Sequence, residues 1–239
     1  GLGDVYKRQD VIHAGTTCQL TWTLHDQFGN MLELEVGGGI TWTAGGGVFT
    51  EENGTYFAMT VGSHQITMLS TGGISHTISI EVTHGEIASL EIIASETFVT
   101  ADDIVWLNTT RIDIMGNRLS VVIPQENWTV SDGMITAGQP AEWHAQRRGS
   151  KTLTANYAGT ESSVIIQVSE GAITDLVLVV DSLDSTYSLQ ELTADEEITV
   201  KVKAIDSDGN RWTEPVSWTI EHPQFNDQSV LQEMTYGST

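Results

Sequence analysis

The sequence is poor in cysteine, basic side chains and long apolar runs, and each shortage excludes a class of protein. Its one cysteine, Cys18, cannot form a disulfide within the chain, so cysteine usage does not indicate the compartment. Only 10 Lys and Arg stand against 32 Asp and Glu, which gives a net charge of -22. Nucleic acids and anionic membranes would be repelled, because binding to phosphates needs clustered cations. No apolar run approaches the roughly 20 residues that cross a bilayer, so no membrane segment is predicted in this fragment.

The first nine residues are best excluded from the fold prediction. Residues 1–9 resemble a stretch that recurs at the edges of unrelated metagenomic reading frames, where sequencing adapter has been translated. No apolar segment follows Lys7 and Arg8, so the stretch is not typical of a signal peptide. The rest of the chain has enough apolar residues for a core, since the sequence is 39% hydrophobic and has seven Trp.

A repeat of about 90 residues organises the remaining chain. The motif Asp-x-x-Gly-Asn occurs at 26–30, 113–117 and 206–210, spaced 87 residues apart from 26 to 113 and 93 from 113 to 206. A Trp-Thr pair follows each motif, and its tryptophans are Trp42, Trp128 and Trp218. Further landmarks keep the same order, which predicts three copies of one structural unit.

Apolar residues alternate with polar ones inside each copy, which is typical of strands with one buried face. In the first copy, Cys18, Leu20 and Trp22 alternate with polar residues. In the second, Trp106 breaks the alternation of Val105 with Leu107, so we expect a bulge or a half-covered outer face there. Such segments, separated by turns at intervals of about ten residues, predict an all-β antiparallel sandwich.

The repeated motif predicts a turn at the end of a strand. Glycine adopts the positive φ that a side chain resists, and Asp accepts hydrogen bonds from the amides of the turn. The Trp that follows falls on the next strand, where it would fill the space between two sheets. The predicted structural residues are the motif aspartates Asp26, Asp113 and Asp206, the glycines Gly29, Gly116 and Gly209, and the tryptophans Trp42, Trp128 and Trp218.

The ordered set of landmarks resembles the bacterial immunoglobulin-like (Big) domains of large prokaryotic surface and adhesin-type proteins. The set comprises an alternating strand, Asp-x-x-Gly-Asn, a Trp strand, and Gly-Ser-x-x-(Ile/Leu)-Thr at 62–67 and 149–154. The resemblance covers residues 10–239 and implies tandem immunoglobulin-like β-sandwiches in a row. It also implies an extracellular or cell-surface stalk or adhesion module without catalytic residues.

The repeat predicts where the domains begin and end. Residues 10–84 form a first domain whose first strand is missing or replaced, 85–170 a complete second domain, and 171–239 a third domain that is truncated at its C-terminal side. The joins at 84–85 and 170–171 have no Pro, Ser or charge-rich spacer. Short joins favour a semi-rigid row in which each repeat contacts its neighbours.

The sequence has few features typical of a catalytic or cofactor site, and no enzyme is predicted. No nucleophile, zinc or P-loop motif is present. Calcium is the one cofactor considered, with Asp206 and Asp208 as weak candidate ligands. They are weak because the spacing of the acidic residues fits no EF-hand loop and because Asp208 does not recur in the other copies. Sequons make Asn53, Asn108 and Asn127 candidate glycosylation sites in an exported protein.

Two function classes remain open. The first is a structural and adhesive stalk whose end loops contact an unknown surface protein or glycan. The second is an accessory module of a secreted multidomain enzyme, in which an exposed Trp106, Trp143 or Trp212 would bind carbohydrate. Trp143 matches Tyr56 in the first copy, and this shared aromatic character favours packing for Trp143.

Overall fold

The computed structural model describes residues 12–25, 28–32, 39–50, 54–180 and 200–217. Apart from one 3-10 turn at Gln125–Asn127, the regular structure of these residues is β-strand. None of them belongs to a helix long and apolar enough to cross a membrane. The chain divides into two compact units, residues 1–171 and residues 172–239.

The N-terminal half of the larger unit is a sandwich of nine short strands, here called the first sandwich. Its strands are β1 (Ile12–His13), β2 (Thr17–Gln19), β3 (Leu24–His25), β4 (Met31–Leu32), β5 (Ile40–Ala44), β6 (Gly47–Phe49), β7 (Thr55–Ala58), β8 (Gly62–Ser70) and β9 (Ser75–Thr83). One sheet has the order β1-β9-β8-β5 and the other β2-β7-β6, while β3 and β4 pair separately. Tyr56, Ile66 and Val82 are buried between the sheets.

The second sandwich, β10 to β18, has the complete strand order of an immunoglobulin domain. Its strands are β10 (Ile87–Ala94), β11 (Phe98–Thr100), β12 (Ile104–Asp113), β13 (Arg118–Ser120), β14 (Trp128–Val130), β15 (Met134–Thr136), β16 (Ala141–His144), β17 (Gly149–Tyr157) and β18 (Thr160–Ser169). The sheets run β10-β12-β16-β15 and β11-β18-β17-β14, and β13 also pairs with β12. In immunoglobulin nomenclature, the first sheet has the strand order A-B-E-D and the second A′-G-F-C. This is the arrangement of a constant-type immunoglobulin domain. The predicted all-β, immunoglobulin-like fold is confirmed.

The chain changes sheets near the start of each sandwich. In the second sandwich, β10 pairs antiparallel with β12, and the chain then crosses so that β11 runs parallel to the last strand, β18. In the first, β1 runs parallel to the last strand, β9, with Ile12 opposite Val82. In both sandwiches the last strand is therefore hydrogen-bonded in parallel to a strand near the start, β1 in the first and β11 in the second.

The core of the second sandwich follows the alternation seen in the sequence. Val105, Leu107 and Thr109 of β12 are buried, and they face side chains of the opposite sheet that include Leu153, Ile166 and Trp128. Trp128 is 8% exposed. The irregularity expected near Trp106 takes the form of a half-covered outer face, where that side chain is 43% exposed. The bulge lies on the partner strand instead, between Ile87 and Ser89 of β10.

The smaller unit begins with the same strand pattern as the second sandwich. Its strands β19 (Ile173–Val180), β20 (Val200–Asp206) and β21 (Arg211–Thr213) pair in that order, as β10, β12 and β13 do. A register shift between Ile173 and Asp175 repeats the one in β10. Three predicted residues, Asp26, Asn53 and Trp218, lie outside the described residues, as do residues 1–9.

Candidate functional site at the junction of two sandwiches

The Asp113–Asn117 turn, which joins β12 to β13, is built around one buried carboxylate. Asp113 is 2% exposed at the end of β12. Its Oδ1 accepts hydrogen bonds from the amides of Met115 and Asn117, each at 2.9 Å. The Asn117 side-chain amide donates to both carboxylate oxygens, at 3.1 and 2.9 Å. Gly116 has φ +84, which a side chain resists, so the motif chemistry matches the turn.

The same carboxylate also holds the segment that connects the two sandwiches. The amide of Gly85 donates to Asp113 Oδ2 at 3.0 Å. Burial would raise the pKa of Asp113, but the hydrogen bonds from Gly85, Asn117 and Met115 favour the ionised form and hold the pKa below its usual value. The charged carboxylate is therefore the form that stabilises both the turn and the connection.

Asn117 extends from this turn to the first sandwich. Its side-chain Nδ2 donates to the carbonyl of Met59 at 2.8 Å. Its Oδ1 accepts from the amide of Val61 at 3.2 Å. Because one planar amide satisfies a donor and an acceptor on the segment between β7 and β8, the side chain fixes both distance and orientation.

Apolar contacts surround these hydrogen bonds. Met115 packs against the core of the first sandwich, where Ala14 is buried. A Cβ on Gly15 would overlap the end of the Ile114 side chain, which would have to move. A Cβ on Gly85 would likewise overlap the carbonyl of Ala14. The small residues allow the turn to approach the end of the first sandwich closely, and we call this end the socket: Ala14, Gly15, the Met59 carbonyl and the Val61 amide.

The other two copies of the motif share the turn conformation where they are described. Gly29 and Gly209 have φ +87 and +78, close to that of Gly116. In the third copy, Asp206 Oδ1 accepts from the amides of Asp208 and Asn210, and Asp206 Oδ2 accepts from the Asn210 side chain at 2.7 Å. In the second and third copies, the turn is therefore built by its own Asp and Asn.

The calcium hypothesis stays a prediction. Asp206 is 2% exposed, and turn donors occupy both of its oxygens. Ser207 Oγ donates to Asp208 at 3.5 Å. Within the described residues, no group of three or more His, Cys, Asp or Glu side chains comes close enough together to hold a metal. A hard cation prefers six to eight oxygen ligands, which this turn does not supply from its carboxylates alone.

The remaining candidate residues lie apart from the junction. Asn108 is exposed on β12, and Asn127 is exposed in the 3-10 turn, so both side chains are accessible, while glycosylation itself stays a prediction. Trp143 is fully buried and donates from Nε1 to the Asp132 carbonyl at 2.9 Å, which excludes it from an exposed platform. Trp212 donates to Glu214 at 2.7 Å.

Cys18 lies partly buried against the core of the first sandwich. Burial raises the pKa of its thiol above the usual value, so little reactive thiolate forms at neutral pH. This placement fits the interpretation of Cys18 as a small core residue.

The sequence predicts the turn but not its contact with the preceding sandwich. It assigned Asp113 and Gly116 a local role, and it did not assign Met115 or Asn117 to a contact with the preceding sandwich. One signal was available: the third motif position carries a large apolar residue, Phe28 or Met115, in two of the three copies, although turns are usually polar.

Comparison with known proteins gives similarities in structure only. No protein-family model and no curated protein matches the chain. Among solved structures, the Escherichia coli adhesin FdeC is 16% identical over 88% of this chain and 77% of its own, with a TM-score of 0.49. Invasin, described as a bacterial integrin-binding protein, is 19% identical over 84% of this chain and 46% of its own, with a TM-score of 0.44.

A third similar structure comprises domains 4–9 of the surface layer protein SbsC, which is 20% identical over 87% of this chain, with a TM-score of 0.31. The match spans 36% of that SbsC chain. These three similar structures are a bacterial adhesin, an invasin and a surface layer protein. Because the identities and TM-scores are low, the immunoglobulin-like assignment rests on the strand order and not on these similarities.

Proposed function

We propose that the chain is a non-catalytic structural and adhesive repeat segment of a large extracellular surface protein. Its sandwiches act as a stalk or spacer, and loops at their ends contact a surface protein or glycan. The observation that carries this proposal is the junction, where Asn117 bonds directly to Met59 and Val61 of the preceding sandwich. A direct contact of this kind transmits force and orientation, which a flexible linker would not do.

The parallel pairing of β1 with β9 and of β11 with β18 supports a load-bearing role. In the second sandwich, the amide of Gln167 on β18 donates to the carbonyl of Thr97, just before β11, at 2.8 Å. In the first sandwich, the amide of Ala14, just after β1, donates to the carbonyl of Thr83 on β9 at 2.8 Å. Because the paired strands run parallel, a pull on the two ends of a sandwich loads these bonds together in shear. Opening them one by one would need a different direction of force.

Single-molecule force spectroscopy of the full chain tests this proposal. We expect the second sandwich to resist extension and then to unfold in one step. Gln167→Pro removes the amide that donates to Thr97, so it should lower the unfolding force. Gln167→Ala keeps this amide and is the matched control. Extension of the sandwiches at the low force typical of a disordered chain, or equal forces for the Pro and Ala variants, would contradict the proposal.

A second candidate function rests on Trp106. This side chain is 43% exposed on the outer face of β12, two residues after the exposed Ile104 of the same strand. An exposed tryptophan on a flat sheet gives the apolar face of a sugar ring a surface to pack on. The accessory-module hypothesis therefore predicts binding on a glycan array that Trp106→Ala abolishes. Absence of glycan binding by the wild-type chain would leave the stalk as the single proposal.

A further inference from the structure

The described part of the first motif, residues 28–30, is exposed at the positions that correspond to the junction turn. Phe28 stands at the same motif position as Met115, and each directly precedes a glycine with positive φ, Gly29 or Gly116. Phe28 is nevertheless 80% exposed, and the neighbouring Met31 is 66% exposed. Phe28 in the turn and Met31 at the start of β4 thus expose apolar surface that soluble domains usually cover.

The second copy indicates what covers such a turn. Met115 packs against the core of the preceding sandwich. The socket that receives it combines small residues, Ala14 and Gly15, with a backbone carbonyl and amide that pair with Asn117. The apolar side chain fills the space that the small residues leave, while the asparagine sets the register. The two parts of the turn therefore recognise one kind of surface.

We propose that the Phe28–Met31 turn is a docking surface for the socket end of another immunoglobulin-like sandwich. The occupant is identified by chemistry: an Ala-Gly pair with room for an aromatic ring, beside a free carbonyl and amide. Asn30 holds the motif position that Asn117 holds in the second copy. The proposal rests on the proposed function, in which repeats act in tandem, and it extends that function by assigning the partner of the first sandwich.

An extended chain provides the partner, with residues 85–100 in place of β1 in the downstream copy of the first sandwich. Ala14 and Ala101 each precede their motif aspartate by twelve residues, so they are equivalent positions. A protein in which residues 1–100 are followed directly by residues 14–239 therefore places a socket and its native connection ahead of a second Phe28. The test compares Phe28→Asp in the ordinary chain with the same change in the downstream copy of the extended chain.

We expect Phe28→Asp to leave the Tm of the ordinary chain unchanged and to lower the Tm of the extended chain by about 3 °C or more. Val48→Asp, at a similarly apolar and half-exposed position of the same sandwich, is the control and should act equally in both proteins. Equal effects of Phe28→Asp in both proteins, whether zero or large, would overturn the proposal. A failure of the proposed function would be seen in a different measurement, because the unfolding force of the second sandwich does not depend on Phe28.

Discussion

Asp113 does two tasks with one carboxylate. It closes its own turn through the amides of Met115 and Asn117, and it anchors the connection between the sandwiches through Gly85. Hydrogen bonds to a buried carboxylate are strong, since the ionised group accepts from several donors in a site shielded from water. Loss of this charge therefore affects the turn and the connection together.

The lowered pKa of Asp113 predicts a specific dependence of stability on pH. Because the pKa is lower in the folded state than in the unfolded state, the ionised carboxylate stabilises the fold fully above the ordinary pKa of about 3.9. This contribution disappears as the pH falls through the folded-state pKa. Asp113→Asn should cost about 1 to 3 kcal/mol at pH 7 and should lose less stability than wild type below about pH 4. Denaturant midpoints measured from pH 7 to pH 2 provide the comparison.

The difference between the wild-type and Asp113→Asn curves isolates this group from the other carboxylates. Glu126→Gln, at an exposed position of the 3-10 turn, is the control and should leave the curve close to that of wild type. Parallel curves for wild type and Asp113→Asn would show that ionisation of the Asp113 carboxylate contributes nothing to the stability of the fold.

Trp128 tests the core of the second sandwich. The side chain is 8% exposed and packs within the cluster that includes Leu153 and Ile166. Trp128→Ala should cost about 3 to 5 kcal/mol, because a large cavity replaces a buried ring. Trp106→Ala removes the same number of atoms from a half-exposed position and should cost much less. Similar denaturant midpoints for the two variants would contradict the assignment of Trp128 to the core.

At the scale of elements, substitutions of two glycines with similar φ angles distinguish the cost of backbone strain from the cost of close packing. Gly116 has φ +84 and no atom within 4 Å of an added Cβ, whereas Gly15 has φ +86 and an overlap with Ile114. Gly116→Ala should therefore cost about 1 to 2 kcal/mol from the backbone alone. Gly15→Ala should cost more, because it also pushes the Ile114 side chain out of the junction. Chemical denaturation of both variants measures the difference, and equal costs would argue against a close approach at Gly15.

The sequence predicted the elements better than their pairing. Alternation along β12 identified Val105 and Leu107 as inward-facing, because the side-chain period of a strand is two. The parallel pairing of β11 with β18 joins residues about 70 positions apart, and no local pattern specifies it. The junction was missed for the same reason: Asn117 meets Met59 only after both sandwiches have formed, so the motif gave its turn and not its partner.

At the scale of the whole molecule, the charge of -22 makes the folded state repel itself. Salt screens this repulsion, so the Tm should rise with ionic strength. Since turn donors occupy both Asp206 oxygens, we expect NaCl and CaCl2 to raise the Tm equally at matched ionic strength. Thermal denaturation in the two salts checks this expectation. An additional rise in calcium that a chelator reverses would instead support a calcium site.

The junction gives the two sandwiches of the larger unit one common orientation. Besides the hydrogen bond from Gly85 to Asp113, its contacts are neutral hydrogen bonds made by Asn117 and apolar packing made by Met115. Met115→Asp combined with Asn117→Ala removes both kinds of contact and leaves the β-strand residues of each sandwich unchanged. In this double variant, the two sandwiches should therefore move independently while each of them stays folded.

Residual dipolar couplings of backbone amides in the full chain test this claim most directly. In the wild-type chain, β5, β8 and β9 should share one alignment tensor with β12, β17 and β18. In the Met115→Asp/Asn117→Ala variant, the two sets should need separate tensors while each set stays consistent with its own folded sandwich. Separate tensors in the wild-type chain, or one shared tensor in the variant, would contradict the claim that the Asp113–Asn117 turn couples the two sandwiches.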